Sequence, residues 1–159
     1  MTPAGFTIKL PNGGIMRVLQ SRVNIYIPNN LAKSADISAI WDTGATGSAI
    51  TKKVVLSLGL IPTGMSRVHT AGGLVTQRTF TVDIGLPNNV LVQGIVVTEI
   101  DALTGGADAL IGMDIITLGD LSITNQNGNT CMSFRMPSLH EIDFVESPDF
   151  GVVKVTHKK

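Results

Sequence analysis

Short apolar runs separated by turn-forming residues recur along the chain. Residues 23–27, for example, end at Pro-Asn-Asn, and residues 121–124 and 130–136 flank the segment Asn-Gln-Asn-Gly-Asn. Runs of this length, rich in β-branched residues and bounded by Gly, Pro and Asn, are typical of strands joined by tight turns. Because 17 glycines accompany only 15% charged residues, we predict a mainly β domain with few helices.

The first third of the chain predicts hairpins. The runs 6–10 and 15–19 flank a Pro-Asn-Gly-Gly turn, and the run 23–27 follows them. Residues 37–41 form the next predicted strand, which leads directly into Asp42.

One short helix is expected at residues 51–58. Val54, Val55 and Leu58 fall on one helical face, and Gly59, followed shortly by a proline, supplies a stop signal. The helix is therefore expected to end near this glycine.

The second half of the chain predicts a long hairpin and then a repeat of the earlier theme. Residues 68–70 and 74–83 surround Ala-Gly-Gly, which predicts a flexible hairpin tip, and another strand is expected at residues 90–99. Residues 109–112 resume an apolar strand, and residues 114–118 predict one or two helical turns. Strand, glycine and short helix thus occur twice, as though the domain were built from two related halves.

Length and charge limit what the chain can do. At 159 residues and 43% hydrophobic, it fits one domain at residues 1–136, with residues 137–159 as an extended arm or partly ordered tail. Lys+Arg and Asp+Glu both total 12, so no charge excess favours nucleic acid. No charge-free stretch reaches the length of a membrane span, and Cys131 is alone, outside any zinc-ligand spacing. We expect a soluble, cytoplasmic protein that uses no cofactor or metal.

Two glycine-containing motifs, residues 42–46 (Asp-Thr-Gly-Ala-Thr) and 110–112 (Leu-Ile-Gly), resemble those of the retropepsins, the single-domain aspartic proteases of retroviruses and their cellular and bacterial relatives. In that family an apolar strand delivers Asp-Thr-Gly-Ala/Ser, a glycine-tipped flap hairpin follows, and a later apolar-apolar-Gly element precedes a helix. All three occur here in that order, within residues 37–124. The resemblance implies a mainly β, closed or partly open barrel with a flap hairpin and one or two short helices.

The resemblance also implies a reaction and an assembly. Peptide hydrolysis without a metal or a nucleophilic side chain needs one carboxylate to deprotonate water and one carboxylic acid to protonate the leaving amine. Two such groups held close together share a proton. Because this chain has one Asp-Thr-Gly, a homodimer around a two-fold axis would be needed to bring Asp42 and its copy together.

Individual roles follow from the same resemblance. Asp42 would be catalytic, and Thr43 would hydrogen-bond across the axis to the partner's loop. Gly44 would let the substrate backbone approach, and Ala45 would line the cleft.

Six further residues are expected to cover or support the site. Three match the flap tip that would close over a bound peptide and exclude water: Ala71, Gly72 and Gly73. Three would pack beneath the catalytic loop as scaffold: Leu110, Ile111 and Gly112.

The sequence departs from the retroviral pattern near both motifs. Retroviral members usually have Asp after the Ala and Arg after the later Gly, an ion pair within the domain, whereas this chain has Thr46 and Met113. Because both charges are absent together, neither is left buried and unpaired. Trp41 stands where a smaller aliphatic residue is usual. The chain also continues well beyond the run 121–124, which matches the family's C-terminal interface strand.

Each motif also has a purely structural interpretation. Asp42 could initiate a turn, and Gly72 with Gly73 could form an ordinary hairpin tip. Four acidic residues could suggest a cation site, but their spacing fits no calcium loop, and solvated or capping roles are favoured: Asp101, Asp108, Asp114 and Asp120.

The sequence is compatible with three functions. The leading one is a homodimeric aspartic endopeptidase that binds an extended peptide between cleft and flap. The second is a catalytically weak or inactive dimeric module for peptide binding or assembly, and the third is an unrelated β-barrel binding protein. The third requires both motifs to be accidental. Retention of Asp, Thr, Gly and Ala together favours the enzyme, since a binding module has no chemical need for the acid.

Overall fold

The computed structural model describes residues 2–87 and 89–146, which form ten strands and two short α-helices. The mainly β architecture predicted from the sequence is therefore confirmed. The predicted C-terminal arm lies outside the described residues beyond Glu146. The strands are β1 (Ala4–Lys9), β2 (Gln20–Ile27), β3 (Asn30–Trp41), β4 (Ala49–Thr51), β5 (Gly64–Thr70), β6 (Gly73–Gly85), β7 (Leu91–Ile100), β8 (Ala109–Ile111), β9 (Asp120–Thr124) and β10 (Cys131–Met136), and the helices are α1 (Lys52–Leu58) and α2 (Met113–Ile116).

Six of the strands form a closed ring of pairings. β2 pairs antiparallel with β3 on one side and with β6 on the other. β3 pairs parallel with β8, β8 antiparallel with β4, and β4 parallel with β7. The antiparallel pair of β7 with β6 closes the ring, and β5 extends outward from β6.

The interior of this ring is filled by alternate side chains of its strands. Trp41 of β3, Ile111 of β8, Val97 of β7 and Phe80 of β6 are all buried. Successive strand residues point to opposite faces, so the residues between them in sequence lie on the other face of the sheet. That other face carries the candidate site.

Helix α1 closes one side of the core as the sequence predicts. Val54, Val55 and Leu58 are buried, and Gly59 ends the helix in the left-handed conformation at φ 63°. Its N–H donates to carbonyls of the last helical turn, which satisfies backbone groups that would otherwise lack partners.

A second, three-stranded sheet packs against the barrel in the order β1-β10-β9. The hairpin predicted from the runs 121–124 and 130–136 is confirmed as β9 and β10. The ring of Trp41 lies 4.9 Å from that of Phe134 and 5.7 Å from that of Phe6, measured between centroids. The sheet is thus anchored on the residue that immediately precedes Asp42.

The prediction of a hairpin from the runs 6–10 and 15–19 is wrong. β1 pairs with β10 instead, and residues 15–19 form no strand. The local turn is held by a distant loop, because Gly14 N–H donates to Asn129 Oδ1 at 2.8 Å and Thr130 N–H donates to the Gly14 carbonyl at 2.9 Å. Burial of an aromatic cluster against β10 therefore outweighs the local turn signal.

The longer hairpin in the second half is confirmed, with Thr70 paired to Gly73 at its end. The predicted strand at residues 90–99 is β7. The two halves of the predicted repeat differ, because β8 leads through Gly112 directly into α2, whereas β4 intervenes between the Asp42 loop and α1.

Candidate active site

Asp42 stands at the end of β3, on the face opposite to the core. Trp41 is 4% exposed, and the alternation of the strand places the next side chain on the other side, where Asp42 is half-buried. The backbone is fixed from both directions, since Trp41 N–H donates to the Leu19 carbonyl and Asp42 N–H to the Ile111 carbonyl, both at 2.9 Å.

The loop that follows turns around the Asp42 carboxylate. Gly44 N–H donates to Asp42 Oδ1 at 2.8 Å, and Ala45 N–H donates to the Asp42 carbonyl at 3.3 Å. Asp42 therefore does initiate a turn, as the structural alternative expects. Among the described residues Oδ2 has no hydrogen-bond partner, so this turn orients the carboxylate and leaves one oxygen open to a water or substrate. Thr43 and Gly44 are exposed beside it.

Gly112 lies directly behind this loop, at a position where no side chain fits. A Cβ atom there would be 2.6 Å from the backbone carbon and oxygen of Gly47 and 3.0 Å from the Ala45 oxygen. Met113 N–H donates to that Ala45 carbonyl at 2.9 Å. The start of α2 is therefore in direct backbone contact with the loop that carries Asp42.

Ser48 and Asp114 complete the connection. Ser48 donates from its N–H to Asp114 Oδ2 at 2.9 Å and from Oγ to Asp114 Oδ1 at 2.7 Å. Gly112 N–H donates to Ser48 Oγ at 3.1 Å, and Asp114 N–H to the Thr46 carbonyl at 3.2 Å. This network fixes the far end of the loop to the helix by four hydrogen bonds.

Sequence reasoning missed the role of Ser48 and assigned Asp114 only to the first turn of a helix. The available signal was the loss of the family's ion pair at Thr46 and Met113. With no charges at those positions, the side-chain link between loop and helix is made by Ser48 and Asp114, polar residues close in sequence to the two uncharged positions.

The strand register extends the face that carries Asp42 across the barrel wall. Side chains of directly paired residues lie on the same face. Ile40, two residues before Asp42, pairs with Leu110, and the pairing continues from Leu110 through β4 and β7 to β6. We call this surface the Asp42 face; from β3 to β6 it consists of Ile40, Asp42, Leu110, Ala49, Thr98 and Thr79. Leu110 thus borders the site, whereas Ile111 points into the core and is fully buried.

The β5–β6 hairpin continues the Asp42 face beyond Thr79. Two residues further toward the tip is Gln77, paired with Ser66, and then Val75, paired with Val68. The side chains on the opposite face of the hairpin include Arg67 and Arg78 and are exposed.

Among the described residues, the hairpin tip forms hydrogen bonds only within itself. Thr70 Oγ1 donates to the Gly73 carbonyl at 3.0 Å and accepts from Gly72 N–H at 3.2 Å. Gly73 has φ 113°, and a Cβ atom there would meet nothing within 4 Å. Ala71, Gly72 and Gly73 are exposed, so the tip is not packed against the rest of the described chain.

The four acidic residues that could suggest a cation site each have a separate protein partner. Asp101 pairs with Lys52, Asp108 with Lys53, Asp114 with Ser48 and Asp120 with Arg135. Hydrogen bonds from Ser138, Arg135 and the Leu139 N–H hold the pKa of Asp120 well below its usual range. Within residues 2–87 and 89–146, no group of three or more His, Cys, Asp or Glu could hold a metal ion.

Two surface cavities, of about 470 and 220 Å³, lie away from Asp42. The larger is lined by residues of β1, β10 and the loop between β9 and β10, and the smaller by residues of β2, β7 and the turn before β7. No helix in the described part of the chain is long and apolar enough to cross a membrane.

Comparison with known proteins bears on this site. Among curated proteins none matches the chain. A retropepsin-like aspartic protease from Rickettsia conorii is 15% identical over 85% of this chain and 96% of its own, with a TM-score of 0.49. The retroviral protease-like domain of Ddi1 from Leishmania major is 18% identical over 77% of this chain and 96% of its own, with a TM-score of 0.41.

The model of a protein family described as aspartyl protease matches residues 26–115. That match covers more than half of the 159 residues and includes Asp42, the β5–β6 hairpin and Gly112. The family relationship inferred from the sequence motifs is thereby confirmed, and the chain belongs to the aspartyl protease family.

Proposed function

We propose that the protein is a homodimeric aspartic endopeptidase in which a pair of Asp42 carboxyl groups, one from each subunit, activates water. The observation that carries the proposal is the geometry of Asp42. Its Oδ1 accepts a hydrogen bond from Gly44 N–H at 2.8 Å, its backbone is tied to Ile111, and its second oxygen has no partner among the described residues. This is a positioned carboxylate with an open reactive atom, in a chain of the aspartyl protease family.

The reaction requires a second carboxyl group. One Asp42 takes a proton from water as the oxygen attacks the peptide carbonyl, and its protonated copy donates a hydrogen bond to that carbonyl. The proton that Asp42 took from water then passes to the amine, which leaves as the C–N bond breaks. Water is consumed and no other reactant is needed. A single chain with one Asp-Thr-Gly supplies half of this machinery.

The edge of β9 supports a place for the partner subunit. β9 is an outer strand of the three-stranded sheet, so the described residues leave one side of its backbone unpaired. Leu118, two residues before β9, and Ile123, within it, are 41% and 46% exposed. Antiparallel pairing of β9 with its copy would satisfy the backbone groups and cover this apolar surface.

The substrate fits the Asp42 face as an extended peptide. The accessible part of the face runs from Asp42 across Leu110 and Thr98 toward the inner side of the β5–β6 hairpin, and backbone hydrogen bonds to an extended chain are sequence-independent. In this proposal the hairpin acts as a flap, closing over the peptide to exclude water, with Gly73 at its tip.

Substitution of Asp42 by Asn tests the catalytic role. Asn keeps the oxygen that accepts from Gly44 N–H, so we expect folding and assembly to be retained and peptide hydrolysis to be lost. Asp36→Asn is the matched control, because Asp36 lies on the same strand, is exposed and forms only a surface ion pair with Arg22. Metal-independent hydrolysis by purified Asp42→Asn would overturn the proposal.

Mixing wild-type and Asp42→Asn subunits tests the shared site. If each site needs both carboxyl groups, re-equilibrated equal mixtures should retain about a quarter of the wild-type activity, because only wild-type homodimers are active. Retention of half the activity would show that each chain works alone. An active-site-intact dimer that binds peptides without cleaving any would instead establish the alternative function, a peptide-binding or assembly module.

A further inference from the structure

The amide of Gln77 is an exception among the buried polar groups of the protein. Its Oε1 is the one buried side-chain nitrogen or oxygen atom in the described residues that has no hydrogen-bond partner. Buried acceptors are nearly always satisfied, and an orphaned one calls for a specific explanation. Because Oε1 is covered in this conformation, a ligand can supply the missing donor only when the β5–β6 hairpin moves, and the exposed, unpacked tip permits such a movement.

Gln77 faces the surface on which the substrate is proposed to lie. It is two residues from Thr79 on β6, and Thr79 pairs with Thr98 of the Asp42 face. Its own cross-strand neighbour is Ser66, and the next pair toward the tip is Val68 with Val75. Gln77 therefore sits between an apolar pair near the tip and a threonine pair at the base.

The neighbours of Gln77 on its face of the hairpin carry no charge. On this face of the hairpin the neighbours are hydroxyl-bearing or aliphatic, whereas Arg67 and Arg78 lie on the opposite face, and Arg78 is engaged with Glu99 at 2.6 Å. A charged substrate side chain would be desolvated here without a counter-ion. A neutral side chain with an N–H or O–H donor would satisfy Oε1 without that cost.

We propose that Gln77 is a specificity-determining residue. It selects substrates that carry an uncharged hydrogen-bond donor at the position that lies against Gln77, namely Asn, Gln, Ser or Thr. This inference rests on the proposed function, since it places the peptide on the Asp42 face. Gln77 acts on substrate choice and takes no part in bond cleavage.

The experiment uses the Asp42→Asn dimer to select peptides from a randomised library, which are then sequenced, so that the readout does not depend on catalysis. We expect one position to be enriched in Asn, Gln, Ser and Thr. In Asp42→Asn/Gln77→Leu this enrichment over Leu and Val should fall by at least about tenfold, because the acceptor is lost. In Asp42→Asn/Gln77→Glu it should shift toward Lys and Arg.

Gln126→Leu, the same substitution at an exposed loop residue, is the matched control and should leave the selected peptides unchanged. An unchanged preference in both Gln77 variants would overturn the inference, as would a uniform loss of all peptides, which indicates a contact to substrate backbone. Retention of no peptide by Asp42→Asn would also overturn it.

Cleavage of the selected peptides by wild-type protein separates the two proposals. Cleavage without any effect of Gln77 on preference refutes only the specificity role. A Gln77-dependent preference in binding without cleavage by the wild type refutes only the peptidase function.

Discussion

The loop that carries Asp42 and the β5–β6 hairpin are built in opposite ways. Between residues 42 and 48 the backbone is tied to β8 and α2 by hydrogen bonds at Asp42, Ala45, Thr46 and Ser48. Within the described chain, the hairpin tip forms hydrogen bonds only within itself, a Cβ atom on Gly73 would meet nothing within 4 Å, and Gln77 has an unsatisfied amide oxygen.

This difference indicates a division of labour. In the proposed dimer the Asp42 carboxylate meets its copy across an axis and has to be held within a fraction of an ångström, and packed, hydrogen-bonded neighbours supply that precision. In the same proposal the hairpin admits and releases a peptide, which needs low local stability and few fixed contacts. Substitutions in the Asp42 loop should therefore strongly lower the free energy of unfolding. Substitutions in the hairpin should lower turnover more than they lower stability.

Gly112→Ala should have the largest effect. Its Cβ would lie 2.6 Å from the Gly47 carbonyl group, and both partners are backbone, so the loop or α2 has to move. We expect a loss of about 3 kcal/mol in the free energy of unfolding, measured by urea denaturation, together with loss of peptidase activity. Gly47→Ala is the control, because its nearest atom would be Asp114 Oδ2 at 4.0 Å. Equal effects of the two substitutions would contradict the backbone contact.

Ser48→Ala should have the next largest effect. It removes one donor to Asp114 and leaves Gly112 N–H buried without its acceptor, so we expect a loss of about 2 kcal/mol in the free energy of unfolding. Turnover should fall as well, because the Asp42 loop loosens. Ser57→Ala removes a hydroxyl that donates only to a carbonyl of its own helix and should change stability by less than about 0.5 kcal/mol. A neutral Ser48→Ala would show that the loop is held by backbone contacts alone.

Much of this architecture could be predicted from the sequence, and the exceptions share a physical cause. Helix α1, the β9–β10 hairpin and the β5–β6 hairpin were predicted correctly, because their signals lie within a few residues: a capping glycine, a turn-forming loop, a glycine pair. The pairing of β1 with β10 joins residues about 130 positions apart. No local pattern reports that the Phe6 ring packs on Trp41.

In the candidate site, too, the residues within local motifs could be predicted and those that depend on long-range contacts could not. Asp42 and Gly112 belong to contiguous motifs and could be recognised. Ser48 and Asp114 act as a pair across 66 positions, and neither is unusual in its own segment. Gln77 could be identified only from the register of β6, which sets the face it shares with Asp42.

Gly73→Ala tests the hairpin side of the comparison. Its φ of 113° is strained for any residue with a Cβ, although the site is spatially open. We expect stability to fall by only about 1 kcal/mol, since the tip is unpacked, while turnover falls several-fold because the tip geometry changes. Gly72→Ala, whose Cβ would meet only Thr70 Oγ1 at 3.8 Å, should be close to wild type in both. A Gly73→Ala protein with normal turnover would place the moving element elsewhere.

Asp120→Asn should have the smallest effect and sets the scale for a partly exposed polar network. Like Asp114, Asp120 is half-buried and accepts several hydrogen bonds, here from Arg135, Ser138 and the Leu139 N–H. Ser138 and Leu139 are exposed, whereas the partners in the loop network, Ser48 and Gly112, are buried. These bonds lower the pKa of Asp120 below its usual value of about 4. A carboxyl group whose pKa is lower in the folded state contributes stability above its unfolded pKa and loses that contribution as the pH falls through its folded pKa. The stability difference between wild type and Asp120→Asn should therefore be largest at neutral pH, shrink progressively below about pH 4, and decrease in high salt.

Urea unfolding of wild type and Asp120→Asn at several pH values measures this difference in stability. A difference that stays constant with pH would mean that the Asn substitution acts through geometry instead of charge. A difference as large as that for Ser48→Ala would mean that burial does not distinguish the loop network from this one.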